Sequence, residues 1–214
     1  MLLAQPEMPT YARLKQQVTE RGPWQQTASG SAFFLADPRV CEVRFSDIAM
    51  AISHQCRFNG HFKDFLPLYT VAEHATRISV WMEEDGCTPL ECYAGLHHDS
   101  AEAYTGDIIS QVKYCVPELR PFLHKIETVV NTALYFEMTE ELEKLTKQYD
   151  FIALATEVRD LLPKNQTEFS WGDLPDPRRP KIKPWGPEKA YQYFVRRHFS
   201  LASQIIDTEE GFNL

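Results

Sequence analysis

The stretch at residues 95–108, GLHHDSAEAYTGDI, constrains the fold more than any other part of the chain. It puts two histidines, three carboxylates and a tyrosine among the apolar residues of a predicted helix. The helix has a strong start signal: Thr88 as N-cap, Pro89 at the first helical position and Glu91 three residues after the cap. Gly106 is a natural stop. Such a helix face needs a cation if it is buried, because an unpaired buried carboxylate costs several kcal/mol.

Length and charge narrow the class of protein. The chain has 214 residues and a net charge of −8, with 43% apolar residues, and a single core stays efficient to roughly 250 residues, so one globular domain is predicted. The acidic charge argues against a nucleic-acid polymer as partner. The sequence shows neither a long apolar run nor a signal-like start, which predicts a cytoplasmic protein without a membrane partner. Five cysteines without a ligand spacing suit a reducing compartment.

Apolar periodicity predicts an all-α fold with a small peripheral β-hairpin around residues 29–31. Ser46 is the expected N-cap of an early helix, and Thr70 with Glu73 forms the capping-box pattern of the next. Further helices are predicted for residues 10–21, 118–136, 140–162 and 187–206. The chain divides into an N-terminal segment, a helical core, a proline-rich loop and a C-terminal helix, at residues 1–45, 46–162, 163–187 and 188–206.

Metal-ligand chemistry concentrates in the segment at residues 95–108. His98 and Glu102 are four residues apart and Asp99 and Glu102 are three apart, so on a helix they project toward one surface. Imidazole with carboxylate suits a divalent transition metal, but two ligands rarely suffice. His74, in the first turns of the preceding helix, and Asp150, a lone carboxylate within YDFIALA, are candidates for the third and fourth ligands.

These residues fit the H…HD…D signature of the HD-domain metal-dependent phosphohydrolases, in which the ligands come from three helices. Five blocks in order, RFNGH, YTVAEHA, LHHDSAEAYTGD, VKY and KQYDFIALATEVRDLL, resemble a narrower bacterial and phage group. That group contains 5′-deoxynucleotidases and deoxynucleoside triphosphate triphosphohydrolases. The likeness covers roughly residues 24–162, and the proline-rich loop and last helix look similar as well. It implies that residues 1–214 form a single HD-domain helical bundle.

The resemblance implies three sets of site residues. The implied metal ligands are His74, His98, Asp99 and Asp150. The implied catalytic residues are Glu102, Asp107 and Arg57. The implied substrate-binding residues are Arg57, Phe58, His61, Asp107 and Lys113. The implied cofactor is a divalent ion, whether Mn, Co, Fe, Ni, Zn or Mg, which acidifies a bound water and polarises a phosphoryl oxygen.

Each implied residue has an expected role. Glu102 orients or deprotonates the attacking water, and Asp107 approaches the sugar or the leaving oxygen. Arg57 presents a forked guanidinium to phosphate oxygens, and Lys113 matches a phosphate-contacting position of relatives. Some relatives have Trp where this chain has Phe58, which leaves the preference for deoxyribose open.

The favoured activity is hydrolysis of a deoxynucleoside triphosphate such as dATP to deoxynucleoside and triphosphate, because Arg57, Lys113 and the basic residues of the proline-rich loop could serve the longer anion. Two alternatives stay open: a 5′-deoxynucleotidase that releases phosphate from deoxynucleoside monophosphates, and an inactive nucleotide-binding sensor. The sequence lacks the HDxxED pattern of stringent-response pyrophosphohydrolases. Only His124 lies between the HD pair and Asp150, which favours one tightly held metal. The resemblance also implies a homo-oligomer.

Other polar residues have simpler interpretations. His97 points about 100° away from His98 around a helix, so we expect it to pack or to support a ligand and not to bind metal itself. Glu157 is expected to form an ion pair or to bond toward Asp150, which lies two helical turns before it. The basic residues of the proline-rich loop, among them Arg178, are expected to be solvated.

Overall fold

The computed structural model describes residues 18–207, which begin with a small antiparallel sheet. Its strands, in spatial order, are β1 (Val18–Thr19), β2 (Gly22–Gln26) and β3 (Ala32–Phe34). The β2–β3 pair confirms the predicted hairpin. Residues 10–17 of the predicted first helix lie outside the described residues, and its residues 18–19 form β1 instead.

Helices make up most of the remaining chain, which confirms the all-α class. Within residues 18–207 they are α1 (Phe45–His54), α2 (Val71–Glu84), α3 (Pro89–His97), α4 (Glu102–Thr105), α5 (Ser110–Cys115), α6 (Leu119–Ala133), α7 (Glu140–Asp160) and α8 (Pro187–Asp207). Residues 161–186 contain neither helix nor strand, in agreement with the predicted loop. In this described part, no helix combines the length and apolar character that crossing a bilayer would require.

Two helices begin where local chemistry predicts. Thr70 Oγ1 accepts a hydrogen bond from the backbone N–H of Glu73 at 3.1 Å. Thr88 Oγ1 accepts from the backbone N–H of Glu91 at 3.3 Å, and Glu91 Oε2 accepts in return from the backbone N–H of Thr88 at 2.7 Å. With Pro89 at the first helical position, this is a complete capping box. These starts fix where His74 falls on α2 and where α3 leads into His98.

The predicted N-cap of α1 is wrong by two residues. The helix begins at Phe45, so Ser46 already lies inside it and Arg44 is the N-cap. The carbonyl of Arg44 accepts hydrogen bonds from the backbone N–H groups of Asp47 and Ile48 at 3.0 and 3.1 Å. The first helical bonds therefore form earlier than a preference for serine at caps would indicate.

The α2–α3 pair forms the centre of the bundle, and α1, α7 and α8 pack around it. Close contact between the pair depends on Gly95, because a Cβ atom there would lie 2.3 Å from Met82 Sδ and 3.3 Å from Ile78 Cγ2. The main hydrophobic cluster runs from Phe33 in β3 to Ile205 in α8. Packing α2, α3 and α7 together brings three distant parts of the sequence to one place.

Candidate metal centre

Three of the predicted metal ligands lie at one point between α2 and α3. His74 is in the first turn of α2, and His98 and Asp99 directly follow α3. One ligand atom from each residue lies within 4.8 Å of the other two. Asp99 Oδ2 is 3.1 Å from His98 Nε2 and 3.7 Å from His74 Nε2. Two imidazoles and a carboxylate form a donor set that a divalent transition metal accepts.

Both imidazoles are oriented for ligation. The Nδ1 atom of His98 is 2.8 Å from the carbonyl of Gly95, and that of His74 is 2.6 Å from Glu157 Oε1. A carbonyl and a carboxylate only accept, so each Nδ1 carries a hydrogen, and in the neutral ring each Nε2 keeps its lone pair. Both Nε2 atoms are buried, and neither has a hydrogen-bond partner among residues 18–207. A metal ion would satisfy both, so the residues fit the predicted group.

Asp150 lies beside this cluster on α7. Its Oδ1 is 3.4 Å from His74 Nε2, and its Oδ2 accepts a hydrogen bond from Lys147 Nζ at 2.6 Å. It stands outside the compact group of three ligand atoms. One of its oxygens therefore faces the cluster while the other is paired with a lysine one turn earlier.

The predicted helix is interrupted at the HD motif. Residues 98–101 form turns between α3 and α4, where the backbone N–H of Ser100 bonds to the carbonyl of His97 and that of Glu102 bonds to Asp99, each at 3.0 Å. These bonds span three residues where an α-helix spans four, so the chain tightens locally. The sequence carries no Gly or Pro there, which is why periodicity predicts a continuous helix.

The charged side chains of the cluster shift one another's pKa values. Burial would raise the pKa of Asp99, but the neighbouring His98, Arg57 and His74 lower it well below its usual range. Burial and Arg57 act to lower the pKa of His74, yet Glu157 and Asp150 outweigh them and raise it to about 9. The carboxylates thus demand positive charge near His74 Nε2, which either a proton or a divalent ion supplies.

Two further predicted acids face the same region. Glu102 is 8% exposed, and its Oε2 has no hydrogen-bond partner in the described chain. Burial and the charges of Asp99 and Asp107 raise the pKa of Glu102 well above its usual value. Gln55 Nε2 holds the backbone carbonyl of Glu102 at 2.8 Å. Burial also raises the pKa of Asp107, whose Oδ2 lies 3.9 Å from an Arg57 nitrogen.

Arg57 reaches into the cluster from a tight turn after α1. Its Nη1 is 3.4 Å from Asp99 Oδ2, and its Nη2 is 3.7 Å from Glu157 Oε2. The next two residues, Phe58 and Asn59, have φ values of 55° and 50°. Left-handed backbone at a phenylalanine is uncommon and costs energy, so the surrounding structure imposes this turn.

The other predicted substrate residues are spread around the cluster. Lys113 lines a cleft of about 1180 Å³ that opens beside His98 and Asp99. The Phe58 ring lies 5.6 Å from the guanidinium carbon of Arg57. His61 is exposed. The structure therefore brings Lys113 and Phe58 near the predicted ligands and leaves His61 at the surface.

Arg178 of the proline-rich loop lies at the C-terminal end of α2, away from the candidate metal ligands. Arg178 donates from Nη1 to Asp85 Oδ1 at 3.0 Å and from Nη2 to the carbonyl of Trp81 at 3.2 Å. Asp85 follows the end of α2, whereas His74 is near its start, which is about 16 Å apart along a helix axis. The prediction that Arg178 is solvated is wrong, because it forms an ion pair that fastens the loop to α2.

Glu157 is a buried residue next to the candidate metal ligands, and the sequence did not indicate that it would bond to one of them, His74. It bonds to His74, not toward Asp150, and also accepts from Tyr69 Oη at 2.8 Å. The available signal was its position two turns after Asp150, which places both on one side of α7. Its partners are more than 80 residues away, at separations of 83 and 88 residues.

This fold and this cluster agree with what the resemblance to a known superfamily implied. An all-α bundle in which a histidine from one helix meets a His-Asp pair from the next is the arrangement of the HD-domain metal-dependent phosphohydrolases. Residues 88–163 match the family model described as 5′-deoxynucleotidase YfbR-like. The matched segment contains His98, Asp99 and Asp150.

Comparison with individual proteins extends over more of the chain. The chain is 29% identical over 178 residues to the uncharacterized protein YfdR of Escherichia coli (strain K12). The match covers 83% of this chain and 94% of that protein. The chain is 31% identical over 96 residues to an uncharacterized protein of Rhodobacter capsulatus, covering 44% of this chain and 48% of that protein. Over residues 88–163 the chain is thus similar to a family of 5′-deoxynucleotidases, and His74, His98 and Asp99 could hold a divalent metal.

Proposed function

We propose that the protein is a 5′-deoxynucleotidase, which hydrolyses deoxynucleoside monophosphates to deoxynucleoside and inorganic phosphate. One observation carries the chemistry: the free Nε2 atoms of His74 and His98 meet Asp99, while the Arg57 guanidinium lies 3.4 Å from the same carboxylate. A metal site and a phosphate-binding cation thus share one small volume. The match of residues 88–163 to a 5′-deoxynucleotidase family model supports the choice of substrate.

In this proposal His74, His98, Asp99 and Asp150 are the residues that would hold the metal. A bound divalent metal supplies Lewis acidity toward a phosphoryl oxygen and lowers the pKa of a bound water. Glu102 takes a proton from the attacking water as its oxygen forms a bond to phosphorus. The bond between phosphorus and O5′ breaks, the proton taken up by Glu102 passes to the leaving O5′ next to Asp107, and deoxynucleoside and phosphate are released.

In this proposal the basic and aromatic residues around the cluster bind the substrate. Arg57 and Lys113 bind the non-bridging phosphate oxygens, since a guanidinium and an ammonium are both strong donors to phosphate. Phe58 and His61 contact the nucleoside. A homo-oligomeric assembly and a cytoplasmic location stay predictions, and the metal stays one of Mn, Co, Fe, Ni, Zn and Mg.

Hydrolysis of a deoxynucleoside triphosphate is the second candidate. The observation in its favour is the size of the cleft, about 1180 Å³, which Lys113 and Arg120 line together with His98 and Asp99. A longer anion would fit such a space. The basic loop gives this candidate less support than the sequence suggested, because Arg178 is bound to Asp85.

Product analysis separates the candidates. Metal-stripped protein is incubated with Mn, Co, Mg or Zn and a panel of nucleoside mono- and triphosphates, both ribo and deoxy. Phosphate and deoxynucleoside from monophosphates support the proposal, whereas intact triphosphate from a deoxynucleoside triphosphate supports the second candidate. Asp99→Ala should abolish turnover and leave the helical circular dichroism signal unchanged. No turnover with any metal would favour an inactive nucleotide-binding sensor.

A further inference from the structure

Glu157 lies between the predicted metal ligand His74 and the predicted phosphate-binding residue Arg57. Its side chain is 0% exposed, and it lies on α7 facing the start of α2. Oε1 accepts hydrogen bonds from His74 Nδ1 at 2.6 Å and from Tyr69 Oη at 2.8 Å. Oε2 lies 3.7 Å from Arg57 Nη2. Burying a carboxylate is costly unless its partners need the charge, so these contacts indicate what it does.

We propose that Glu157 is a positioning residue that serves both the metal side and the phosphate side of the site. Through His74 it fixes a metal ligand, and through Arg57 it fixes the group that meets the phosphate. The role toward Arg57 and the phosphate rests on the proposed function, whereas the role toward His74 and the metal does not.

The metal side follows from hydrogen-bond direction. Glu157 can only accept, so it keeps the hydrogen of His74 on Nδ1 and leaves the lone pair of Nε2 facing Asp99 and Asp150. Tyr69 donates to the same oxygen and adds a second restraint on the carboxylate. Without Glu157, the ring of His74 loses the contact that selects its tautomer and its rotation.

The phosphate side follows from how the Arg57 guanidinium is surrounded. Its Nη1 faces Asp99 and Asp107 at 3.4 and 3.9 Å, whereas the ion-pair partner of its Nη2 in residues 18–207 is Glu157. The two nitrogens of a planar fork bind phosphate together only if the plane is held. Glu157 therefore sets the rotation of the fork.

Two substitutions at this position separate the roles. In Glu157→Gln, the amide oxygen keeps the bonds from His74 and Tyr69, since two donors at 2.6 and 2.8 Å favour oxygen on that side. The amide NH₂ then faces Arg57 and cannot attract it. In Glu157→Ala both contacts are lost. Mn²⁺ titration of the metal-stripped proteins by calorimetry should give a Kd for Glu157→Gln close to wild type, and one weaker by about 10–100-fold for Glu157→Ala.

A double-mutant cycle tests the phosphate side. Glu157→Gln should lower kcat/KM for the hydrolysed nucleotide by about tenfold in the wild-type background, and by less than about twofold when Arg57→Ala is also present. An equal loss in both backgrounds would show that Glu157 does not act through Arg57. Mn²⁺ binding by Glu157→Ala as tight as wild type would overturn the metal side.

Glu73→Gln is the matched control for loss of a buried carboxylate. Glu73 is also 0% exposed, but its oxygens accept from Arg77 and from the backbone N–H of Trp185, away from the ligands. It should leave both the Kd for Mn²⁺ and kcat/KM within about twofold of wild type; an effect as large as that of Glu157 would overturn the specific role. If the wild type hydrolyses no nucleotide, the proposed function fails, whereas the Mn²⁺ titrations still decide the role toward His74.

Discussion

The Nε2 atom of His97 lies 3.0 Å from Nδ1 of His198, so the buried imidazole of His97 and the half-buried imidazole of His198 join α3 to α8 next to the HD motif. His97 is 1% exposed, and its Nδ1 is 2.8 Å from Ser100 Oγ. The His198 ring stacks on Phe45 with centroids 3.7 Å apart. The two adjacent histidines thus have different surroundings: His97 contacts Ser100 and His198, whereas His98 lies beside the candidate metal ligands His74 and Asp99.

This pair predicts a specific dependence of stability on pH. Burial lowers the pKa of His198 from 6.5 to about 4. The unfolded chain therefore binds a proton between these pH values that the folded chain does not, so stability is complete above pH 6.5 and falls as the pH drops toward about 4. The loss from this one partly buried residue should be about 1–2 kcal/mol.

Thermal denaturation between pH 4.5 and 7.5 checks this expectation. The variant His198→Gln should show a shallower fall in Tm with decreasing pH than wild type. Part of the slope should remain, because burial also lowers the pKa of His97 well below its usual value. Identical slopes for the two proteins would show that His198 does not carry the effect.

Glu102→Gln should abolish most activity without loss of metal. The carboxylate that would accept a proton from water is replaced by an amide of the same shape, so kcat should fall about 10²–10⁴-fold. The Kd for Mn²⁺ should change little, since Glu102 is not among the three clustered ligands. Steady-state kinetics and calorimetry test this, and a kcat near wild type would remove Glu102 from the mechanism.

Arg57→Ala should weaken substrate binding. Loss of a charged contact to phosphate should raise KM about tenfold or more, and Arg57→Lys should recover part of this because the charge remains without the fork. Arg77→Ala is the control, since Arg77 pairs with Glu73 at 2.6 Å on the same helix as His74. It should lower Tm slightly and leave KM unchanged; a KM shift of similar size would contradict the assignment.

Gly95→Ala should loosen the α2–α3 contact. The added methyl group would meet Met82 Sδ at 2.3 Å, which should cost about 1–3 kcal/mol in the free energy of unfolding. Met82→Ala creates a cavity but removes the clash, so the double variant should be less destabilised than the sum of the single variants by about 1 kcal/mol. Urea denaturation measures all three proteins, and strict additivity would mean that the clash is relieved elsewhere.

Local signals predicted much of this fold. Thr88, Pro89 and Glu91 define the start of α3, and Thr70 with Glu73 defines the start of α2, because a cap bonds backbone groups within one turn. The HD pattern also identified His98 and Asp99 as neighbours of His74. Residue type predicted two boundaries poorly: the start of α1 near Ser46 and the break between α3 and α4 at residues 98–101. At both places the backbone hydrogen bonds set the helix boundary.

The sequence alone determined that this chain forms a helical bundle, since spacing and capping act between residues a few positions apart, and its resemblance to the HD-domain phosphohydrolases implied the set of metal ligands. Only the tertiary structure decided that Glu157 supports His74 across 83 residues and that Arg178 binds Asp85 across 93. Those contacts depend on how α2, α3 and α7 pack. Packing sums many weak apolar contacts that no short stretch of sequence contains.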